Sequence, residues 1–431
     1  MARTDQRLKP RQIGKAGTVI AALDIGCAKI ACLIGRVDPG ARAGFAFMGG
    51  GRQQSRGFSG GAITDIEALE RSVRLAVEDA EREAGERIER VILGITGPKV
   101  ESRIADAQVE IGQREITGRD VQKVWALALN KVVPKDRELL GAYPVMYRVD
   151  DQEDVRDPVG MIGDILCVAL NVVTAPKSLV KNLIECVQRA HLTVERIVPS
   201  ALASGSGTLI EDEVENGAIC IDFGGGVTAV SVFLNGAPAW LDLIKVGGAH
   251  ITGDIAQGIG TTFAAAERLK IVYGSADPDG PGMAERIEAP RLGDDGRLCA
   301  GRMARGDLAN IVMPRVEEVF ELVRRALDAS DLAQILPRRT VLTGGASQLP
   351  GVREMASRVL GLPVRLGRPI DADVLGENYG NPSFSTAAGL ISYELKGFAD
   401  ASRAGAASAL AGGSTGRGVI ARVLHWIREN F

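Results

Sequence analysis

The chain has few of the residues on which several kinds of catalysis depend. Its 431 residues include only three histidines and 4% aromatic residues. No HExxH pattern occurs, so neither a metal–histidine site nor a Ser/His/Asp triad is expected. The six cysteines form no CxxC pair and no zinc spacing, and most lie in apolar runs, so we expect them to be reduced and buried. Walker A and GxGxxG motifs are also missing, which excludes P-loop and Rossmann nucleotide sites.

Charge of one sign and long apolar runs are missing as well. The chain carries 51 Lys+Arg and 54 Asp+Glu, a net charge of −3. This balance argues against a nucleic-acid partner held by bulk electrostatics. No run approaches the roughly eighteen apolar residues that a membrane span needs. Residues 1–16 are polar and basic without an apolar segment, so they predict a disordered extension, no secretory signal, and a cytoplasmic protein.

Glycine, by contrast, is abundant, with 53 residues, and it marks three turns that follow apolar strands. Two of the turns belong to strand–turn–strand units that contain Asp24 and Asp222. Small turn residues let backbone N–H groups approach phosphate oxygens, and an aspartate at a strand end can hold Mg²⁺, usually through water. One such hairpin is a weak signal because plain hairpins are common. Two of them indicate a duplicated α/β chain with its ligand in the cleft between the halves.

The three turns resemble motifs of the actin/Hsp70/sugar-kinase superfamily. LDIGCAKIACLIG is similar to the phosphate-1 motif, IDFGGGVTAVSVF to phosphate-2 and VLTGGASQLPGV to the adenosine motif, in that order. The resemblance implies an actin-like, duplicated α/β ATPase fold that binds ATP and Mg²⁺. It places Asp24 and Asp222 at the metal. The other nucleotide contacts that it implies are Gly26, Cys27, Ala28 and Lys29 at the β/γ-phosphates; Gly224, Gly225, Gly226 and Thr228 in a second clamp; Glu267 and Lys270 at the ribose and adenine; and Gly344, Gly345 and Ala346 against the adenosine. For Glu267 and Lys270, a solvated helix face is the alternative.

One position departs from the superfamily pattern. Hydrolytic members place a Glu or Gln on the first connecting segment, where it positions the attacking water. Here that segment is IVPSALASGSG (197–207), which puts Ser200 or Ala201 at the position. A serine hydroxyl is a poor base. We therefore expect ATP binding with at most weak hydrolysis, and no dedicated catalytic residue.

The last fifteen residues, RGVIARVLHWIRENF, form an amphipathic pattern on a helical wheel. As a helix they would be roughly 22 Å long, too short for a bilayer core of about 30 Å. Trp among apolar residues, with Arg opposite, predicts a helix lying in the plane of the membrane surface. Its apolar face comprises Val419, Ile420, Val423, Leu424, Trp426, Ile427 and Phe431. A helix docked on its own domain is the alternative, but the preceding segment 399–416 contains 14 Ala, Gly or Ser among 18 residues and predicts a flexible linker.

Motifs and tail together resemble the FtsA family of bacterial cell division proteins. The likeness spans about 18–396 and the last fifteen residues, with RGFSGGAITDIEALERSV, DPVG and WIRENF among the matches. It implies a protein that tethers the FtsZ ring to the inner face of the cytoplasmic membrane at the septum and recruits later division proteins. It also implies binding of the FtsZ C-terminal tail by subdomain 2B and self-association through subdomain 1C. A pilus-assembly relative and a small-molecule kinase of the same superfamily are the alternatives.

Two features of the region around residues 275–306 bear on partner binding. Basic residues near 286–305 could meet an acidic peptide, although a solvated loop explains them equally well. The segment 275–306, rich in Gly, Pro and Asp, is expected to have little regular structure.

The likeness also divides the chain into segments. The predicted organisation is a disordered basic N-terminus (1–16), 1A (17–97 and 171–210), an α+β subdomain 1C in place of 1B (98–170), 2A (211–250 and 335–398), 2B (251–334), a linker (399–416) and a membrane-targeting helix (417–431).

Overall fold

The computed structural model describes residues 15–97, 99–398 and 400. Its strands are β1 (Val19–Ile25), β2 (Lys29–Val37), β3 (Phe45–Gln54), β4 (Phe58–Ser59), β5 (Ala62–Ile63), β6 (Arg90–Ile95), β7 (Glu101–Glu115), β8 (Arg137–Val149), β9 (Gln152–Val155), β10 (Ile162–Pro176), β11 (Thr193–Pro199), β12 (Ala218–Phe223), β13 (Thr228–Leu234), β14 (Ala237–Ile244), β15 (Arg286–Glu288), β16 (Arg291–Leu292), β17 (Leu298–Cys299), β18 (Arg302–Ala304), β19 (Thr340–Thr343) and β20 (Val364–Leu366). Its α-helices are α1 (Ile66–Ala84), α2 (Gly118–Val132), α3 (Lys177–Arg189), α4 (Ser200–Thr208), α5 (Glu211–Asn216), α6 (Gly248–Ile259), α7 (Phe263–Tyr273), α8 (Arg305–Asp328), α9 (Val352–Leu360), α10 (Ala372–Tyr379) and α11 (Ser385–Lys396).

Two five-stranded sheets share one topology. The first has the order β3-β2-β1-β6-β11 and the second β14-β13-β12-β19-β20. In each, three strands form an antiparallel meander and two further strands add in parallel. The central strands β1 and β12 are apolar and largely buried because helices or loops cover both faces of the sheet. The duplication predicted from two hairpins is therefore a duplication of the whole sheet.

Three consecutive glycines in β3 let helices approach the first sheet closely. A Cβ on Gly51 would lie 1.9 Å from the carbonyl oxygen of Ala76 in α1. A Cβ on Gly50 would meet the ring of Tyr379, 2.6 Å away. The hydroxyl of Tyr379 donates instead to the carbonyl of Gly50 (2.6 Å). These contacts bring α10 against the first sheet, although it lies more than 300 residues later in the chain.

The packing of the last two helices concerns the segment 335–398, which the sequence analysis assigns to 2A. Helices α10 and α11 pack on the first sheet and α4, and Leu375, Leu390 and Ile391 lie in the core around β1 and β2. Within 335–371, β19 and β20 extend the second sheet, and α9 packs beside them.

A four-stranded sheet, β7-β10-β8-β9, forms the predicted inserted α+β subdomain, with α2 packed on it around a separate core. The indole N–H of Trp125 in α2 donates to the hydroxyl of Tyr147 in β8 (2.8 Å). The fully buried Asn171 donates its amide to the carbonyl of Pro238, the second residue of β14 (3.1 Å). The inserted subdomain therefore also contacts the second sheet. We call the first sheet with the helices packed on it the first lobe, and the second sheet with its helices the second lobe.

The described chain ends against this insertion. Phe398 packs on Tyr393 (ring centroids 5.4 Å apart) and on Phe233 (6.0 Å). Asp400 is buried, and its carboxylate accepts a hydrogen bond from the backbone N–H of Ala142 in β8 (2.9 Å). Asp400 falls within the segment 399–416 that the sequence predicts to be a linker, and it is packed against the inserted subdomain. The rest of the linker, the tail 417–431 and residues 1–14 of the N-terminal extension lie outside the described residues.

Two further expectations need correction. The segment 275–306 contains two short antiparallel pairs, β15 with β18 and β16 with β17, which its turn-rich composition did not predict. The cysteines are not uniformly buried: Cys32, Cys186 and Cys220 are, whereas Cys27 and Cys167 are half-buried and Cys299 is exposed. None of the helices in the described ranges is long and apolar enough to cross a membrane.

Candidate ligand-binding cleft

A cavity of about 510 Å³ lies between the two sheets, where β1 and β12 end. This volume suits a small-molecule ligand. The predicted site residues that line it are Asp24, Gly26, Cys27, Ala28, Lys29, Asp222, Gly224, Gly225, Gly226, Glu267, Lys270, Gly344, Gly345 and Ala346. Thr228 does not line it. Its buried hydroxyl donates to the carbonyl of Val246 (2.7 Å), which sets Thr228 apart from the other predicted site residues.

Glycines let the tips of the two hairpins meet. A Cβ on Gly225 would lie 2.7 Å from the Cβ of Ala28, and a Cβ on Gly226 would lie 2.7 Å from the Cβ of Cys27. Both distances are shorter than ordinary van der Waals contact. A larger side chain at either glycine would therefore push the two lobes apart. Burial raises the pKa of the Cys27 thiol, although backbone N–H groups of neighbouring glycines partly oppose this.

The second hairpin tip is also fixed to the start of helix α6. The backbone N–H of Gly248 donates to the carbonyl of Gly224 (2.9 Å), and that of Ala249 donates to Gly225 (2.6 Å). Because the first N–H groups of a helix have no partner inside the helix, the tip satisfies donors that would otherwise be unpaired. The tip is therefore held both by its own strands and by the first turn of α6.

Two aspartates from the two lobes face this cavity. Burial and the nearby Asp222 carboxylate raise the pKa of Asp24 to about 7, and Lys29 partly opposes the shift. Burial also raises the pKa of Asp222, while hydrogen bonds from Thr386 and Ser204 oppose the rise. The hydroxyl of Thr386 donates to Asp222 over 2.9 Å. Two carboxylates crowded together with few neighbouring cations are suited to a divalent cation.

The donor set fits magnesium better than an ion that needs a full protein cage. No group of three or more His, Cys, Asp or Glu side chains that could hold a metal occurs among the described residues. Magnesium usually keeps several waters and takes one or two carboxylates together with phosphate oxygens. Asp24 and Asp222 could supply those carboxylates.

Lys29 follows the first hairpin tip and points its ammonium into the same cavity. Its Nζ donates to Ser383 Oγ (2.6 Å) and lies 3.7 Å from the ring centroid of Phe384. Burial lowers the pKa of Lys29 to about 8, although Asp24 and Asp222 oppose this. The group is therefore mostly charged at neutral pH, in a partly desolvated position where it would attract an anion strongly.

A second cation, Lys270, belongs to a closed hydrogen-bonded cluster. Its Nζ donates to Glu267 Oε2 (2.7 Å), Thr252 Oγ1 (2.8 Å) and the carbonyl of Gly248 (3.0 Å). The Thr252 hydroxyl also donates to Glu267. This cluster joins α6 to α7 beside the glycine turn 344–346. It rules out the solvated-face alternative for Lys270, which is buried.

The connecting segment places Ser200 in the cleft and Ala201 in the core. Ser200 Oγ is buried and has no hydrogen-bond partner among the described residues. The carboxylates in the cavity lining are Asp24, Asp222 and Glu267, and the last of these is engaged by Lys270.

Sequence reasoning missed other residues of the lining, including Thr96, Ile271, Ser383 and Thr386. Ser383 and Thr386 lie 354 and 164 positions from the groups they contact. Neither stands in a motif with a known spacing to the glycine turns. Only the packing of α11 on the first lobe brings them to the cleft.

Comparison with known proteins identifies the family. The proteins described as "Cell division protein FtsA" from Rhizobium meliloti (strain 1021) and Agrobacterium fabrum are 39% and 40% identical to the chain, over 99% of it and 97% of theirs. The chain belongs to the FtsA family. The family model "Cell division protein FtsA" matches residues 219–389, and "SHS2 domain inserted in FTSA" matches 97–174. The Escherichia coli K12 FtsA is 32% identical over 96% of the chain and 98% of its own length.

Solved structures confirm the actin-like ATPase fold and nothing more specific. The chain resembles a protein of the "PilM-PilN type IV pilus biogenesis complex" with a TM-score of 0.62 and 16% identity, over 87% of this chain and 98% of that one. It resembles MreB5 of Spiroplasma citri bound to ADP with a TM-score of 0.52 and 13% identity, over 89% and 97%. The inserted subdomain corresponds to the SHS2 domain of FtsA.

Replacing Asp24 by Asn should stabilise the ligand-free chain in a pH-dependent way. The folded-state pKa of about 7 exceeds the ordinary value of 3.8, so the folded state binds this proton more tightly than the unfolded chain does. The resulting penalty is absent below pH 3.8, grows as the pH rises, and is complete above pH 7. We expect Asp24→Asn to raise the free energy of unfolding by on the order of 4 kcal/mol at pH 8 and by less at pH 5.

Denaturant unfolding in EDTA buffer at the two pH values measures this difference. Asp106→Asn, at an exposed position in β7, is the matched control and should change stability equally at both. A gain for Asp24→Asn that is constant or larger at pH 5 would contradict the assignment of a buried, crowded carboxylate.

Proposed function

We propose that this FtsA-family chain binds ATP with Mg²⁺ in the cleft and tethers the FtsZ ring to the cytoplasmic membrane at the division septum. The observation that carries the nucleotide part is the convergence of two aspartates, one from each duplicated sheet, at touching glycine hairpin tips. This arrangement offers backbone N–H groups to phosphates and carboxylates to a cation at the same place. Nucleotide-bound neighbours support it: MreB5 of Spiroplasma citri was solved with ADP and with AMPPNP.

Different groups of the lining suit different parts of ATP. Around the hairpin tips, Lys29 and the glycines 224–226 would hold the phosphates, and Asp24 and Asp222 would hold Mg²⁺. Glu267 on α7 and the glycine turn 344–346, whose first glycine lies beside Asp222, would contact the ribose and adenine. The Mg²⁺ would neutralise phosphate charge. The chain's own groups bind and orient the nucleotide.

Hydrolysis is proposed to be slow. Ser200 occupies the cleft position where a base would be needed, and its hydroxyl is a poor base. The nucleotide would then act mainly by stabilising one arrangement of the two lobes. Since Mg²⁺ would engage Asp24 and Asp222, no carboxylate of the lining is left free to activate water.

Membrane attachment is assigned to the amphipathic tail 417–431. The last described residue before the tail is Asp400, whose carboxylate accepts a hydrogen bond from β8 of the inserted subdomain. The sixteen residues between them (416 − 400) can span at most roughly 55 Å when extended and about 20–24 Å on average as a flexible coil. The tail would thus hold the folded body near an anionic membrane surface, since its arginines flank an apolar face.

The remaining partners are proposed from the family. The 2B segment would bind the FtsZ C-terminal tail, and its exposed Arg286 and Arg302, on paired strands β15 and β18, could meet acidic residues of that tail. The insertion would support self-association into filaments and contacts with later division proteins. The pilus-assembly alternative is not favoured, because the PilM likeness is 16% identical whereas the FtsA relatives reach 40%.

A liposome co-flotation assay tests the tether. With vesicles containing anionic lipid, the full chain should float and carry FtsZ polymers with it. Removing residues 417–431, or replacing Trp426 by Glu on the apolar face, should leave both proteins in the dense fraction. His425→Ala, on the polar face, is the matched control and should float normally. Flotation that survives removal of the tail would refute the membrane assignment. FtsZ that stays behind while the chain floats would refute the FtsZ assignment.

Nucleotide binding should require the close contact between the two hairpin tips. Gly225→Val places methyl groups where Ala28 already lies 2.7 Å from the Cβ position, so the tips must separate. We expect ATP affinity, measured by calorimetry, to fall at least tenfold, since misplaced phosphate donors lose charge-assisted hydrogen bonds worth about 1.5–3 kcal/mol each. Gly253→Ala on α6 is the control, because no atom lies within 4 Å of that Cβ position. Unchanged ATP affinity in Gly225→Val would count against the site.

ATP turnover by the purified chain should lie well below about 1 s⁻¹, the lower end of common enzyme rates. Ser200→Glu places a carboxylate in the cleft at the position where hydrolytic members carry one, so turnover should rise. Phosphate release under saturating ATP measures both. A wild-type rate above that limit would overturn the proposal that the nucleotide is mainly a conformational ligand.

A further inference from the structure

We propose that Ser383, supported by Asn381 and Phe384, positions Lys29 so that the cleft distinguishes a nucleoside triphosphate from a diphosphate. This inference rests on the proposed ATP binding and adds residues that the nucleotide motifs do not contain. Ser383 and Phe384 lie in the short 3₁₀ turn between α10 and α11.

The cavity lining contains two cations, and they differ in what they can offer a ligand. Lys270 already directs its Nζ at Glu267, Thr252 and Gly248. An ammonium has three N–H donors, so Lys270 has none to spare. Its charge is also balanced by Glu267, 2.7 Å away. Lys270 would therefore stabilise additional negative charge on a phosphate chain only weakly.

Lys29 is in the opposite situation. Ser383 is its one hydrogen-bond acceptor among the described residues, and the face of Phe384 is its other contact. Two of its three donors therefore remain for a ligand. Because the terminal phosphate is what separates a triphosphate from a diphosphate, the cation with free donors is the group that can sense it.

Lys29 needs support to keep this orientation. The carboxylates of Asp24 and Asp222 attract its ammonium in a desolvated cleft. A flexible four-carbon side chain could collapse onto either carboxylate, which would remove both the cation and a metal ligand from use. The hydroxyl of Ser383 and the ring of Phe384 provide alternative partners for the Nζ.

The support is itself fixed by neighbouring contacts. Ser383 Oγ donates its proton to Asn381 Oδ1 (2.6 Å), so its lone pairs are presented to Lys29. The same Asn381 oxygen accepts the backbone N–H of Ser383 (3.1 Å). Phe384 is fully buried and packs edge-on against Tyr379, with ring centroids 5.2 Å apart. Ser383, Asn381 and Phe384, which we call the cradle of Lys29, are therefore held in place before any ligand binds.

Calorimetric titration with MgATP and MgADP tests the proposal in five variants of the full chain, including Lys29→Ala alone and combined with Ser383→Ala. Ser383→Ala should weaken ATP about tenfold, the size of one charge-assisted hydrogen bond, and ADP by no more than about twofold. Ser383→Thr keeps the hydroxyl and should bind both nucleotides as the wild type does. Phe384→Leu should weaken ATP a few-fold through loss of the cation–π contact. In a Lys29→Ala background, Ser383→Ala should have no further effect, because Ser383 acts only through Lys29.

Each other result overturns the inference. Equal loss of ATP and ADP affinity in Ser383→Ala would indicate a general structural role. An additive effect in the Lys29→Ala background would show that Ser383 acts independently of Lys29. These failures leave the proposed function intact if the wild type binds ATP. A wild type that binds neither nucleotide refutes the proposed function, and the inference falls with it.

Discussion

Two carboxylates are crowded into one gap because glycines allow two hairpin tips to touch. Asp24 and Asp222 lie at the ends of equivalent strands, and each is raised in pKa mainly by burial. Such a pair is unfavourable in the ligand-free protein, since desolvation and like-charge repulsion both oppose ionisation. The fold retains it because the surrounding contacts leave the chain little freedom to move apart. Destabilisation stored in this way is typical of functional sites.

The contacts that hold the gap come from distant parts of the chain and meet on α11. At the start of this twelve-residue helix, Thr386 donates to Asp222, and Ser383 just before it accepts from Lys29. Near its end the hydroxyl of Tyr393 bonds that of Tyr143 in the insertion, 2.5 Å away. Phe398, which packs on Tyr393, and Asp400, which is hydrogen-bonded to the inserted subdomain, follow α11 at the end of the described chain.

One helix of about 18 Å therefore joins the cleft, the insertion and the C-terminal end of the described chain. Its close contact with α4 is allowed by Gly389, where a Cβ would lie 1.7 Å from the carbonyl oxygen of Ala203. A rearrangement of the lobes on ligand binding would have to move this helix or slide along it. The contact between α4 and α11 also brings the C-terminal end of the described chain into the first lobe, which contains its N-terminal end.

The sequence was sufficient for features that local chemistry determines. An Asp-x-Gly turn between apolar strands is a local pattern, and fourteen of the fifteen predicted nucleotide and metal residues line one cavity. Thr228 lies outside the lining because it begins the strand after the turn, where its hydroxyl donates to the carbonyl of Val246. The packing of α10 on the first sheet was not predicted, because it depends on the contact between Tyr379 and Gly50, 329 residues apart. The cradle of Lys29 was missed for the same reason, since no periodicity or spacing connects residues 29 and 383.

The central claim is that the carboxylate pair and the glycine turns together form a site for ATP with Mg²⁺. Calorimetric titration of the ligand-free chain with ATP, in Mg²⁺ and then in EDTA, tests it most directly. The account predicts that Mg²⁺ tightens ATP binding at least about tenfold, and that Asp222→Asn removes most of that gain. Equal ATP affinity in Mg²⁺ and EDTA, or an undiminished Mg²⁺ effect in Asp222→Asn, would contradict it.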